Sequence, residues 1–197
     1  NIVAWCLTLP YLRSAEITGL NEHSSDNQSA VAYLHQQLIE EAKARKQPDQ
    51  ALILMSHAHM QGGETSDSER PIVVGNEEAL STALFDEVID YVALGHLHKP
   101  QQVGQPHIRY SGSPIPLSFS ELNYKHQVLE VRIDPLQADA QRFQYESLLI
   151  PRTVELLRIR CELSELITKL NQLPKDEIAE VCARHFLEIE YVSDAPP

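Results

Sequence analysis

Apolar positions along the chain fall into two rhythms, short unbroken runs and spacings of three and four. Residues 2–8 form an apolar run closed by Pro10 and predict a buried strand. Ser24, Ser25 and Asp26 then offer caps for a helix. Over 28–46, Val31, Leu34, Leu38 and Ala42 recur at helical spacing, with Lys43, Arg45 and Lys46 at the negative end of the helix dipole. Pro48 and Asp49 break that helix, and 51–55 is apolar at every position, the pattern of a strand covered on both faces. Strand, helix and strand in this order predict a layered α/β domain.

Further along, 72–74 reads as a brief strand, 77–90 as a helical turn or two, and 91–94 as a second fully apolar strand that stops at Gly95. Strands follow at 107–110, at 127–133 before a turn around Asp134-Pro135, and at 141–149. Pro151 is the best boundary, dividing the chain into 1–150 and 151–197. The second piece reads β-α-α-β: a strand at 153–160, a helix with Leu163, Leu166, Ile167 and Leu170 on one face, a short helix after Pro174, and a strand at 186–192.

Composition narrows the class. The 197 residues are 43% apolar and 22% charged, which excludes a wholly disordered chain. No apolar run approaches the roughly 18 residues of a membrane span, so no membrane partner is expected. The first residues lack a basic leader, and Cys6, Cys161 and Cys182 form no CxxC pair, so a reducing cytoplasm is the expected compartment and Cys6 and Cys161 read as small core residues. The net charge is −12, and residues 51–100 alone carry −6. Such a stretch repels nucleic acid unless metal ions or another chain supply positive charge; the plainer reading is a solvated acidic surface.

The candidate chemistry lies just after two of the apolar runs. Ser56-His57-Ala58-His59 follows one, and Gly95-His96-Leu97-His98 follows the other. If those strands are parallel neighbours, both histidine sets reach the carboxyl edge of the sheet, where ligands bind in layered α/β folds. Histidines two apart on an extended segment project to one side, a workable metal clamp. Nine histidines also produce such pairs by chance, and a histidine at a strand end is often a hydrogen-bonded surface residue, so the pairs alone leave both readings open. Four of the seven glycines (Gly62, Gly63, Gly95, Gly112) fall in or beside the same loops, marking unusual backbone there.

The segment Tyr91-Val92-Ala93-Leu94-Gly95-His96-Leu97-His98-Lys99-Pro100, followed by Arg109-Tyr110-Ser111-Gly112-Ser113-Pro114-Ile115-Pro116-Leu117-Ser118-Phe119, resembles the calcineurin-like metallophosphoesterases, and among them the bacterial SbcD-type nuclease subunits. Gly62-Gly63-Glu64-Thr65-Ser66-Asp67-Ser68-Glu69-Arg70 and Pro10-Tyr11-Leu12-Arg13 are similar to the same subfamily, so the resemblance spans nearly the whole chain. It implies an α/β (α+β sandwich) class, with the C-terminal half of a four-layer metallophosphoesterase domain over 1–150 and a partial β-α-α-β capping domain over 151–197. It also implies a centre of two Mn²⁺ ions, with His57 and His96 ligating one and His98 completing the other. His57 is favoured over His59 because the family pattern places the ligand first in Ser-His-Ala-His. The family's Asp-x-His, Gly-Asp and Gly-Asn-His-Asp do not occur here, so catalytic residues are expected upstream of Asn1 and the chain reads as a fragment.

By the same resemblance the parent activity is Mn²⁺-dependent 3′–5′ double-strand exonuclease and single-strand endonuclease cleavage in DNA repair and recombination, with DNA as substrate and an SbcC-type ATPase subunit as partner. The fragment itself is expected to bind Mn²⁺ weakly and to lack nuclease activity. Two other readings stand beside it, a generic small calcineurin-like phosphodiesterase and a non-catalytic partner-binding module. A sheet edge left open by a missing half is a route to self-association as a homodimer. His23, His35, His107, His126 and His185 have no partner at useful spacing and read as structural or exposed.

Overall fold

The computed structural model describes residues 2–13, 16, 27–69, 79–173 and 184–192. The expected strand at 72–74, the short helix after Pro174, the caps Ser24, Ser25 and Asp26, and Arg70 lie outside them. The class is mixed α/β. A five-stranded sheet has the order β1 (Ala4–Leu9), β2 (Ala51–His57), β3 (Tyr91–Gly95), β5 (Gln105–Tyr110), β4 (Gln101–Val103). The first four are mutually parallel, and β4 pairs antiparallel with β5 at the edge. Two smaller sheets follow, an antiparallel hairpin of β6 (Gln127–Ile133) and β7 (Phe143–Leu149), and a parallel pair of β8 (Leu156–Cys161) and β9 (Phe186–Tyr191).

The helix α1 (Asn27–Arg45) supplies the crossover between β1 and β2. Its buried positions are Ala30, His35, Ile39 and Ala42; of the stripe that Val31, Leu34, Leu38 and Ala42 mark in the sequence, Ala42 is buried and the other three, half-buried, are offset by one position from the deepest line. A buried histidine at the centre of that line explains the offset. His35 Nδ1 donates to the Val31 carbonyl at 2.8 Å, and its Nε2 accepts from Ser56 Oγ at 2.9 Å, so both polar ends are satisfied inside the core. Leu52, Leu54, Val92, Leu94 and Ile108 meet this helix side from the sheet.

The other sheet face is covered unevenly. Tyr91 stacks on Phe143 with centroids 5.5 Å apart, and the Arg109 guanidinium lies 3.9 Å over the Tyr145 ring, so β7 lies across β3 and β5. A short helix, α2 (Asp139–Arg142), leads into β7, and its Arg142 pairs with the buried Asp90, whose Oδ2 accepts the Leu52 N–H at 2.7 Å. Toward the carboxyl end of β2 and toward β1 this cover ends. Ala51 is buried and Ile53 half-buried on this face, but Met55 is 49% exposed and Cys6 is exposed, so only the start of β2 is covered on both faces, and Cys6 is not a core residue; Cys161 is. The reason is geometric: β7 reaches only the β3–β5 side of the sheet.

Among the described residues 79–90, the helical turns expected over 77–90 reduce to one 3₁₀ turn at Thr82–Leu84, capped by Ser81 Oγ. Leu80 instead gives its N–H to His59 O at 2.9 Å and accepts from Gln61 N–H at 2.8 Å, bridging to Met60. Backbone groups bonded in this way are not available to a helix. Past residue 150, α3 (Leu163–Asn171) contacts β8, and the segment is tied back to the preceding residues by Arg152, which donates to Leu122 O at 2.7 Å and Tyr124 O at 2.9 Å, and by Arg158, which donates to Phe119 O at 3.1 Å. No described helix is long and apolar enough to cross a membrane.

Candidate metal centre

The two histidine motifs meet because β2 and β3 are adjacent, parallel and in register at their ends, with His57 opposite Gly95. Ring centroids of His57 and His96 are 5.4 Å apart, and those of His59 and His96 are 6.0 Å apart. Tyr11 closes on His57 from the segment after β1, edge to face at 5.8 Å. The loop carrying His57 and His59 is held from beneath by the buried Tyr110, whose hydroxyl donates to Ala58 O at 2.6 Å and accepts from Met60 N–H at 3.0 Å. Burial pushes the Tyr110 phenol up, which keeps it a donor.

Backbone conformation at the end of β3 is unusual. His96 has φ of 109°, the positive-φ position occupied by a non-glycine residue among those described. A histidine in this region costs about 1–3 kcal/mol, and such strain gathers at functional sites. Leu97 between the two histidines is a buried core anchor, so His96 and His98 are thrown to the surface side of the loop. Burial, followed by the neighbouring His57 and His59 rings, pushes His96 down to about 4, and burial also lowers His57. Both rings are therefore neutral at pH 7, the form that can ligate a metal.

His98 stands in a separate network. Its Nδ1 lies 2.7 Å from Glu121 Oε1 and 2.9 Å from Ser68 Oγ, and its backbone N–H donates to Glu69 Oε1 at 2.7 Å. Its carbonyl accepts from Ser113 N–H at 3.0 Å. Gly112, at φ 86°, makes that approach feasible, because a Cβ there would lie 2.6 Å from His98 O. Glu121 is fully buried and also accepts from Ser68 Oγ, from Leu117 N–H at 3.0 Å and from Ser113 Oγ at 3.3 Å. Burial alone would raise this carboxyl; the bonds from Ser68, Leu117 and His98 outweigh that and hold it below the usual range.

Two stretches conspicuous in the sequence thus converge on one residue. Ser68 and Glu69 come from the Gly62-Gly63-Glu64 stretch, and Ser113 and Glu121 from the Ser-Gly-Ser-Pro stretch and its continuation. Sequence reasoning passed over Glu69 and Glu121 as partners, since 29 and 23 residues separate them from His98 and nothing local announces the contact. His126 takes a supporting position beside this network, its Nδ1 donating to Ser113 O at 3.0 Å.

The donors available at the edge are thus imidazole nitrogens. Among the described residues, no group of three or more His, Cys, Asp or Glu side chains is disposed to hold a metal ion. The imidazoles of His57 and His96 suit one borderline ion, while two divalent ions would need carboxylate charge beside them. A cleft of about 330 Å³ is lined by Lys99, Arg109 and Lys125 together with Asn123 and Tyr124. It collects three of the chain's 16 cations beside an otherwise acidic region.

No family model matches the chain. Its sequence is 35% identical over 182 residues to the SbcD subunit of nuclease SbcCD from Rhodobacter capsulatus, a match covering 88% of this chain and 44% of that protein. The chain therefore spans less than half the length of that curated relative, and the match takes in both histidine motifs and the segments that converge on His98. By this similarity the chain resembles part of an SbcD-type nuclease subunit.

Proposed function

We propose that the chain supplies part of the metal centre of an SbcD-type DNA nuclease, with His57 and His96 as ligands to one divalent ion and His98 as a ligand to the other. The observation that carries this reading is the meeting of His57 and His96 at the ends of neighbouring parallel strands, both as neutral imidazoles. Residues 1–150 are then the latter part of a metallophosphoesterase domain and 151–197 part of a cap. When bound, a pair of divalent ions, Mn²⁺ in this reading, activates water and stabilises charge on the attacking and leaving oxygens.

The chain's own residues orient that site. Tyr110 fixes the loop of His57, Leu97 anchors the loop of His96 and His98, and the acidic stretch supports divalent cations rather than repelling them. DNA is the proposed substrate. Lys99, Arg109 and Lys125 offer the positive charge that a phosphate backbone needs and that the rest of the region lacks. The name of the R. capsulatus relative, a component of nuclease SbcCD, supports an SbcC-type ATPase partner for the whole assembly.

With imidazole donors alone the chain by itself holds Mn²⁺ weakly and does not cleave DNA. The test is an assay of linear duplex and single-stranded DNA with the purified chain in Mn²⁺, beside a chain extended to the full length of its relative. Cleavage by the extended chain that is lost in H96A supports the reading. Equal cleavage by the H96A variant contradicts it.

A further inference from the structure

Glu121 has no part in a ligand set drawn from histidines, yet it is the most completely enclosed carboxylate beside the centre. It is 0% exposed, and four donors converge on it: His98 Nδ1 and Ser68 Oγ on Oε1, Leu117 N–H and Ser113 Oγ on Oε2. A carboxylate so enclosed is costly to desolvate unless each donor is in place. Both of its oxygens are met by donors, so the carboxylate faces His98 as an acceptor and the Nδ1 nitrogen carries the proton.

We infer that Glu121 is a positioning residue that holds His98 as the Nδ1–H tautomer, leaving the Nε2 lone pair as the nitrogen offered to a metal. The inference rests on the proposed role of His98 as a ligand. Carboxylates that take the second ring proton of a ligating histidine fix its tautomer and orientation and raise its basicity. Glu69 complements this by accepting the His98 backbone N–H, so ring and main chain are each held by a carboxylate from a different segment.

The Oε2 side makes the assignment testable with a nearly isosteric change. Leu117 N–H can only donate, so in Glu121→Gln the amide oxygen must stay at Oε2 and the NH₂ group turns toward His98. His98 Nδ1 then becomes an acceptor, and its proton moves to Nε2, where it blocks ligation.

The experiment uses the 197-residue chain labelled with ¹⁵N-histidine, with His98 assigned by H98Q, and long-range ¹H–¹⁵N correlation at pH 7.5. The wild type is expected as Nδ1–H, E121Q as Nε2–H, and E121D as Nδ1–H. Mn²⁺ alone is the probe of binding: broadening of His98 in the wild type is expected to need about 10- to 100-fold more Mn²⁺ in E121Q, with partial recovery in E121D. An Nε2–H tautomer in the wild type overturns the role of Glu121, and that measurement does not depend on the folding of E121Q or E121D. A tautomer that flips as expected while Mn²⁺ leaves His98 unbroadened in the wild type overturns instead the assignment of His98 as a ligand.

Discussion

His57 and Gly95 stand opposite one another in the last register pair of β2 and β3, and a Cβ built on Gly95 would lie 3.1 Å from His57 Nδ1. The glycine is what lets the His57 ring lie across the strand end and approach His96. Because His57 is exposed and can yield, Gly95→Ala is expected to shift stability by only about 0.5 kcal/mol and to displace the ring, weakening metal binding more than stability. Urea unfolding measures the first effect, and broadening of His57 signals by Mn²⁺ measures the second. Unchanged broadening in a folded G95A chain would remove the steric role of the glycine.

The positive φ of His96 makes an unusual ranking of substitutions. At an ordinary position glycine is less stable than alanine, whereas here glycine relieves backbone strain that alanine retains. His96→Gly is expected to be more stable than His96→Ala by about 1 kcal/mol. Midpoints of urea denaturation compared at equal m-value decide between the two orders.

The burial that lowers His96 to about 4 and also lowers His57 and His35 couples stability to acid. A folded-state value below the ordinary 6.5 means that the unfolded chain binds more protons between those limits. Stability is therefore full above about pH 6.5 and declines as pH falls toward 4. Unfolding free energies between pH 7.5 and 4.5 are expected to fall less steeply in His96→Gln than in the wild type. Parallel curves would show that His96 does not contribute to the slope.

Asp90 fastens the hairpin to the sheet through Arg142 and caps the Leu52 N–H at 2.7 Å. Asp90→Ala strands both a cation and a buried donor, with an expected cost of about 3 kcal/mol. The change acts at the opposite end of β3 from His96, so it should lower the thermal midpoint without altering the Mn²⁺ response of the folded chain. A shift in both would mean that the hairpin also shapes the metal edge.

The strands that carry the histidines were legible because apolar runs at 51–55 and 91–94 need burial whatever their neighbours. The histidine at the centre of the α1 stripe was not legible, since polarity alone ranks His35 as a surface residue and only the Ser56 hydroxyl makes it a core one. β4 was missed for a related reason: Gln101-Gln102-Val103 has no apolar rhythm and becomes a strand by pairing with β5 around Gly104, whose φ is 64°. The exposure of Cys6 and Met55 depends on where the β6–β7 hairpin ends, and the partnership of His98 with Glu121 on how two loops meet. Both are tertiary facts that no local window contains.

The central claim, that His57, His96 and His98 act together at one metal edge, is tested most directly by the histidine ¹⁵N spectrum of the chain during titration with Mn²⁺. These three imidazoles are expected to broaden first and together, while the buried His35 and His126 stay sharp. Broadening confined to other histidines, or uniform across all of them, would contradict it.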